Sequence, residues 1–160
     1  MGSLLVLAQE EIVQSSLKGL ISRNQEQIVS LANAFSEDQY DWRPAEGIRS
    51  VGESILHTAQ ANYFLASILG IKPPEDVDMM GMEKIKGKEN VLAAFNKSFA
   101  FILEKIDEIK PDSYGEEVDL AGNKFNKLSA MMIVLEHSGE HKGQLIAYAR
   151  SIGVVPPWSN

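Results

Sequence analysis

Ser50-Val51-Gly52-Glu53-Ser54-Ile55-Leu56-His57-Thr58-Ala59-Gln60-Ala61-Asn62-Tyr63-Phe64-Leu65-Ala66-Ser67-Ile68-Leu69-Gly70 is a helix with both ends written into it. Ser50 with Glu53 three residues on is a capping box, in which each side chain accepts a hydrogen bond from the other residue's amide. Ile55, Leu56, Ala61, Phe64, Leu65 and Ile68 give the i, i+3/i+4 apolar stripe of a helix buried on one face. Gly70 suits the left-handed position just past the last turn, and Lys72-Pro73-Pro74 cannot continue a helix.

The same pattern recurs on both sides of this segment. A first helix is expected from about Leu4 to Phe35, with Leu17, Leu20, Ile21, Ile28, Leu31 and Ala32 on its buried side. Pro44 biases Arg43 away from helical angles, so Ser36 to Pro44 is a break. A third helix is expected from about Glu89 to Ile109, carrying Val91, Leu92, Phe95, Phe99, Ile102, Leu103 and Ile106, with Pro111 beyond it. A fourth begins between Asn126 and Ser129, runs to about Ser151 and stops at Gly153 before Pro156-Pro157. Val118 to Phe125 holds a turn signal and a short extended piece. Between helices 2 and 3, the polar stretch with Met and Gly up to Lys88 reads as a long surface loop; loops of this length often cover a site. No repeat, low-complexity run or composition shift marks a second unit. The expectation is all-α: one four-helix-bundle domain over residues 1–160, with a long connection between helices 2 and 3.

Composition narrows the partners. A formal charge of −7 opposes binding to nucleic acid, whose phosphates need a Lys/Arg-rich face. Lys84-Ile85-Lys86-Gly87-Lys88 is short and followed by Glu89, as in a solvated loop. The chain has no cysteine, so a metal here must be held by His, Asp, Glu or water. Leu4 to Ala8 is too short for a signal sequence or a membrane span and has no basic residue before it. Met1-Gly2 lacks the Ser or Thr of a myristoylation motif, having Val6 in that place. A cytoplasmic protein without membrane partners is expected.

The chain contains three histidines. His137 and His141 are one helical turn apart, so their side chains leave one face of the fourth helix roughly 5–6 Å from each other. They interrupt a core-facing stripe of Ile133 or Val134, Leu145 and Tyr148; His57 similarly interrupts the stripe of the second helix. Three imidazoles buried without partners would be costly, whereas together they fill three of zinc's four tetrahedral positions and leave one for water or substrate. His57, His137 and His141 are therefore the candidate metal ligands. A zincin would have Glu directly after the first histidine; Ser138 stands there, and Glu140 points about 100° away from His141 around the helix. Glu53, one turn before His57, either orients that imidazole or serves the capping box. Gln60 and Gln144, each three residues after a ligand candidate, are either partners of the site or surface amides. Tyr148 either donates to a bound ligand or packs in the core, while Trp42 and Trp158 are expected to pack at the bundle ends. Arg150 suits the negative end of the last helix.

Taken together, Trp42-Arg43-Pro44, Gly47 and Ser50 before His57, then His137-x-x-x-His141-Lys142-Gly143-Gln144 with Tyr148, Arg150, Gly153 and Pro156-Pro157, resemble the DinB/YfiT-like superfamily. The resemblance covers most of the chain in order. It implies a four-helix bundle, commonly a homodimer, with a divalent metal such as zinc or nickel on His57, His137 and His141. Lys142 stands where the family often has Arg, replacing a bidentate guanidinium by a point charge. Characterised relatives include S-transferases and isomerases that use low-molecular-weight thiols. The implied function is thus a metal-dependent S-transferase acting on a small molecule, with the nucleophilic sulfur brought by the thiol. The alternatives are a metal-dependent hydrolase and a non-catalytic, stress-linked metal- or ligand-binding module.

Overall fold

Four helices carry the chain: α1 (Gly2–Ala34), α2 (Val51–Ile68), α3 (Lys88–Glu108) and α4 (Lys127–Ser151). The computed structural model describes the backbone of residues 2–159 and the side chains of residues 11–159. The readings made on Met1-Gly2 and on the Leu4 to Ala8 side chains lie outside the described residues. Among the described residues, no helix is long and apolar enough to cross a membrane.

The capping chemistry of the sequence is present in three dimensions. Ser50 Oγ accepts from the Glu53 amide at 3.2 Å, and Glu53 Oε2 accepts from the Ser50 amide at 2.8 Å. Asn126 caps α4 by accepting from the Ser129 amide at 2.8 Å. Helices α2 and α4 end the same way: Gly70 (φ 84°) and Gly153 (φ 77°) turn left-handed. The amides of Ile71 and Val154 then reach back to the carbonyls of Ala66 and Ala149 at 2.9 and 2.8 Å. These are Schellman closures, which satisfy carbonyls that the helix itself leaves unpaired.

The four helices form a ring in the order α1–α3–α2–α4, so consecutive helices α1 and α2, and α3 and α4, stand across the diagonals. Hydrogen bonds give the directions. Gln14 near the start of α1 meets the Ile106 carbonyl near the end of α3, and Lys88 at the start of α3 meets the Phe35 carbonyl, so α1 and α3 are antiparallel. Helices α2 and α4 are also antiparallel, because His57 meets the His137–His141 turn and Arg49 just before α2 meets Tyr148 near the end of α4. Asn24 and Gln27 of α1 meet Ser138 and Lys142 of α4 in the same sequence order, so those two are parallel. The bundle is therefore up, down, down, up. Neighbouring helices α2 and α3 run parallel, which is why a long connection joins them: a short turn only returns the chain antiparallel.

Leu17, Ile21, Ile28, Leu31 and Ala32 of α1 join Val91, Phe95, Phe99, Ile102 and Ile106 of α3 in one apolar core with the buried faces of α2 and α4. Two stripe residues depart from expectation. Leu20 is 50% exposed and Phe64 45% exposed, because the apolar stripe is wider than the face its neighbours cover. Three short 3-10 turns punctuate the connections, at Asp38–Asp41, Met82–Lys84 and Pro111–Ser113. The turn and short extended piece expected over Val118 to Phe125 form a two-stranded hairpin. Strands β1 (Glu117–Leu120) and β2 (Asn123–Asn126) pair antiparallel around Ala121-Gly122. Both turn residues have positive φ (54° and 85°), the mirror-image geometry that a two-residue hairpin needs.

Candidate metal centre

His57 comes from the first half of α2, while His137 and His141 come from one turn at the middle of the antiparallel α4. The antiparallel crossing brings the three rings together: centroids lie 5.2 Å apart for His57–His137, 4.9 Å for His57–His141 and 4.4 Å for His137–His141. One donor nitrogen from each lies within 4.8 Å of the others. His141 is buried, and His57 and His137 are half-buried.

The partners of the rings decide which nitrogens face inward. His57 Nδ1 is 2.9 Å from Glu83 Oε1, and an ionised carboxylate only accepts, so Nδ1 carries the hydrogen and Nε2 keeps its lone pair. His141 Nδ1 donates to Gln144 Oε1 at 2.7 Å, and the Gln144 amide donates to the Tyr148 hydroxyl at 2.7 Å. That hydroxyl donates to the Arg49 carbonyl at 3.2 Å, completing a chain from ring to backbone. His141 Nε2 therefore faces His137 Nε2, at 3.2 Å. A single proton between two nitrogens leaves the third lone pair unmatched, whereas a divalent ion accepts all three. Zn–N bonds of about 2.0–2.1 Å at tetrahedral angles place ligand nitrogens about 3.3–3.4 Å apart, close to the His137–His141 separation. The donor set fits a borderline-soft divalent cation such as zinc or nickel.

Electrostatics favour the neutral, ligand-ready form of His137 and His57. Burial, followed by the mutual influence of His141, His57 and Arg49, pushes the His137 imidazolium pKa down to about 4. Burial and the Arg49 charge also lower His57, with Glu83 pulling the other way. Burial alone would raise Glu83, but hydrogen bonds from Arg49 and His57 outweigh it and hold its carboxyl below the ordinary range. Arg49 Nε reaches both Glu83 oxygens, at 3.0 and 3.2 Å.

Glu53 does not orient His57. Its oxygens are taken by the Ser50 amide and by Arg43 at 3.0 Å, so the capping alternative is the one observed, and Glu83 occupies the orienting place. Gln60 donates to the Met79 carbonyl at 2.6 Å, tying α2 to the long connection rather than to an imidazole. Gln144 touches His141 directly, and Tyr148 stands one hydrogen bond further out. Trp42 packs edge-on against the Tyr148 ring at 5.5 Å, while Trp158, beyond α4 in the chain, is exposed. Glu140 is exposed. Lys142 turns to α1, where Asn24 Oδ1 and Gln27 Oε1 accept from it at 2.6 and 2.9 Å. Sequence reasoning missed Glu83 and Arg49. Met82, buried beside Glu83, pins the loop against α2.

Beside the imidazoles opens a cavity of about 420 Å³, lined by His57, Gln60, Ala61, Phe64, Leu65, Met79, Met80, Leu120 and His137. Its walls come from α2, α4, the long connection and the tip of the hairpin.

The sequence profile of the DinB family matches residues 16–160. The Bacillus subtilis (strain 168) protein YjoA, described as uncharacterized, is 30% identical over 129 residues, which are 77% of this chain and 80% of that protein. Among solved structures, a DinB-like protein from Bacillus cereus ATCC 10987 superposes with a TM-score of 0.72 at 16% identity, covering 84% of this chain and 89% of that one. The YjoA structure gives 0.70 at 18% identity over 91% of this chain and 98% of its own. YfiT from Bacillus subtilis, described as a "probable metal-dependent hydrolase with an unusual four-helix bundle topology", gives 0.69 at 12% identity over 89% of each chain.

Proposed function

This chain belongs to the DinB family, and on that premise we propose that it is a metal-dependent S-transferase whose divalent ion is held by His57, His137 and His141. The observation that carries the reading is the convergence of three imidazoles beside a cavity whose described lining, which includes His57 and His137, offers no carboxylate. Bound there, the ion would supply a Lewis acid that lowers the pKa of a thiol in its open position.

The chain's own groups do the rest. Glu83 and Gln144 accept the Nδ1 hydrogens of His57 and His141, which fixes both tautomers and aims Nε2 inward. Arg49 holds the Glu83 carboxylate in place, and Phe64, Met79 and Met80 line the cavity beside the centre. The transfer consumes a thiol and an electrophile. One S–C bond forms, the bond from that carbon to its leaving group breaks, the leaving group departs with the bonding pair, and the thiol proton passes to solvent. A thiol suits this site better than water does. An ordinary thiol has a pKa of about 8.5 against about 15.7 for water, so it needs far less help from a base. Glu83, doubly hydrogen-bonded and held ionised, is a weak base.

One observation favours hydrolysis as the second reading: Glu83 is nonetheless a carboxylate in contact with the centre. YfiT's description points the same way, though the likeness to YfiT extends to the fold alone. The reading also includes a cytoplasmic homodimer, in line with the family resemblance. Zinc- or nickel-loaded protein, assayed against small electrophiles with and without low-molecular-weight thiols, separates the cases. Turnover only with thiol supports S-transfer, turnover without it supports hydrolysis, and metal binding with no turnover leaves a binding module. Sedimentation equilibrium reads the oligomer.

A further inference from the structure

The cavity beside the imidazoles differs from its neighbour across the long connection in one respect. The neighbouring cavity, of about 300 Å³, has Asp76, Asp78 and Lys97 on its walls. The cavity at the imidazoles has no charged side chain among its described lining residues, although the chain carries a formal charge of −7 and the loop segment supplying Met79 and Met80 also bears Asp76, Asp78 and Glu83. Every acidic residue of that segment is turned elsewhere: Glu75 to Lys72, Asp76 to Lys97, Asp78 to the Gly81 amide, Glu83 to Arg49 and His57. The Gln60 amide is likewise spent on the Met79 carbonyl, which leaves its oxygen as the polar atom beyond the two imidazoles.

Apolar side chains are also left open to solvent here. Phe64 is 45% exposed and Met80 87% exposed, both at this cavity. Exposed large apolar groups gathered at one concave site, with few polar groups for orientation, are what a small-molecule pocket presents.

We infer that the electrophile handled at this centre is an uncharged molecule whose apolar part, the size of a one- or two-ring aromatic, lies between Phe64, Met79, Met80 and Leu120 with its reactive carbon toward His57 and His137. The size follows from volume: a cavity of about 150 Å³ takes benzene, and this one is more than twice that. The exclusion of charge from that apolar part follows from the lining, because a carboxylate or ammonium lying between Phe64, Met79, Met80 and Leu120 would find no partner there. The two methionines, unbranched and polarizable, adapt to rings of differing shape, so the pocket selects a class rather than one compound. This inference rests on the S-transfer reading for the word electrophile, but the pocket's preference is measurable without turnover.

The test uses zinc-loaded protein and the neutral fluorophore N-phenyl-1-naphthylamine, with 1-naphthalenesulfonate, a poor zinc ligand, and 1-methylnaphthalene as charged and uncharged competitors. Saturable binding of the fluorophore at one site per chain is expected, with displacement by 1-methylnaphthalene at concentrations at least about tenfold below those 1-naphthalenesulfonate needs, reflecting the cost of burying an unpaired charge. Leu120→Lys should weaken fluorophore binding by about tenfold or more, for the same reason, with bound zinc and thermal midpoint unchanged. Leu120→Met should bind as the parent chain does. Equal displacement by both competitors, unaltered binding in Leu120→Lys, or absence of saturable binding overturns the inference. Thiol-dependent turnover is scored separately. Selective binding without turnover sinks the S-transfer reading and keeps the pocket's preference; turnover of a polar electrophile without fluorophore binding does the reverse.

Discussion

Two antiparallel helix pairs face each other across this bundle, α1 with α3 and α2 with α4, and they are built to opposite ends. The α1/α3 side brings Phe95, Phe99, Ile102 and Ile106 to the core and is laced along its edge by polar ties such as Gln14 to the Ile106 carbonyl and Lys88 to the Phe35 carbonyl. The α2/α4 side places three imidazoles at the matching depth and surrounds them with an acid, an amide and a phenol that hold them in register. Backbone geometry is shared; side-chain chemistry is not. One pair stabilises the fold, and the other gathers three imidazoles that could hold a metal ion.

The largest break in that contrast comes from the paired change His137→Ala/His141→Ala. Protein purified without a tag or chelator should fall from about one divalent ion per chain to none by elemental analysis, since a single remaining imidazole gives no chelate. On the opposite side, Phe99→Ala should lower unfolding free energy by about 3–5 kcal/mol in denaturant titration, while the fraction that stays folded keeps its ion. Glu83→Gln should keep the helices intact, by circular dichroism, and weaken metal affinity by about 10–100-fold in competition with a chromogenic chelator, the usual effect of removing a ligand's hydrogen-bond partner.

Acidity sharpens the comparison. The pKa of His137 is depressed in the folded, metal-free chain, so the unfolded chain binds more protons between the ordinary histidine value near 6.5 and about 4. Stability of the metal-free protein should therefore be fully present above pH 6.5 and decline as pH falls through that window. Replacing His137 should flatten that part of the profile, whereas Phe99→Ala should shift the whole curve without changing its shape. The smallest effect is at the entrance to α2. Ser50→Ala removes half of the capping box and should cost about 1 kcal/mol, with metal content unchanged.

The helices were legible because their punctuation is local. Ser50 with Glu53, Gly70, Pro111 and Gly153 each act on residues within one turn, and the apolar spacing does the rest. Leu20 and Phe64 misled for a physical reason: periodicity marks which residues share a face, whereas burial depends on whether another helix lies against it. The gathering of His57, His137 and His141 could be anticipated, since their positions on two stripes and their scarcity pointed to one place. Glu83 could not. It meets His57 from a loop with no periodicity, and nothing local distinguishes it from Glu53, which sits one turn from the imidazole and yet serves the backbone. The hairpin was half visible, as a turn with flanking extended residues too short to carry an alternating pattern. Ring order was invisible, although the length of the α2–α3 connection already matched the parallel pair it joins.

That ring order has a consequence for how the molecule is made. During synthesis α1, α2 and α3 emerge first, and the parallel α2/α3 and antiparallel α1/α3 contacts are available to a chain that still lacks α4. Such a chain owns His57 alone. The binding centre comes into being when the last helix docks into the gap between α1 and α2, so uptake of an ion reports completed folding and closes it, and nascent or truncated chains have no means to sequester the ion beforehand.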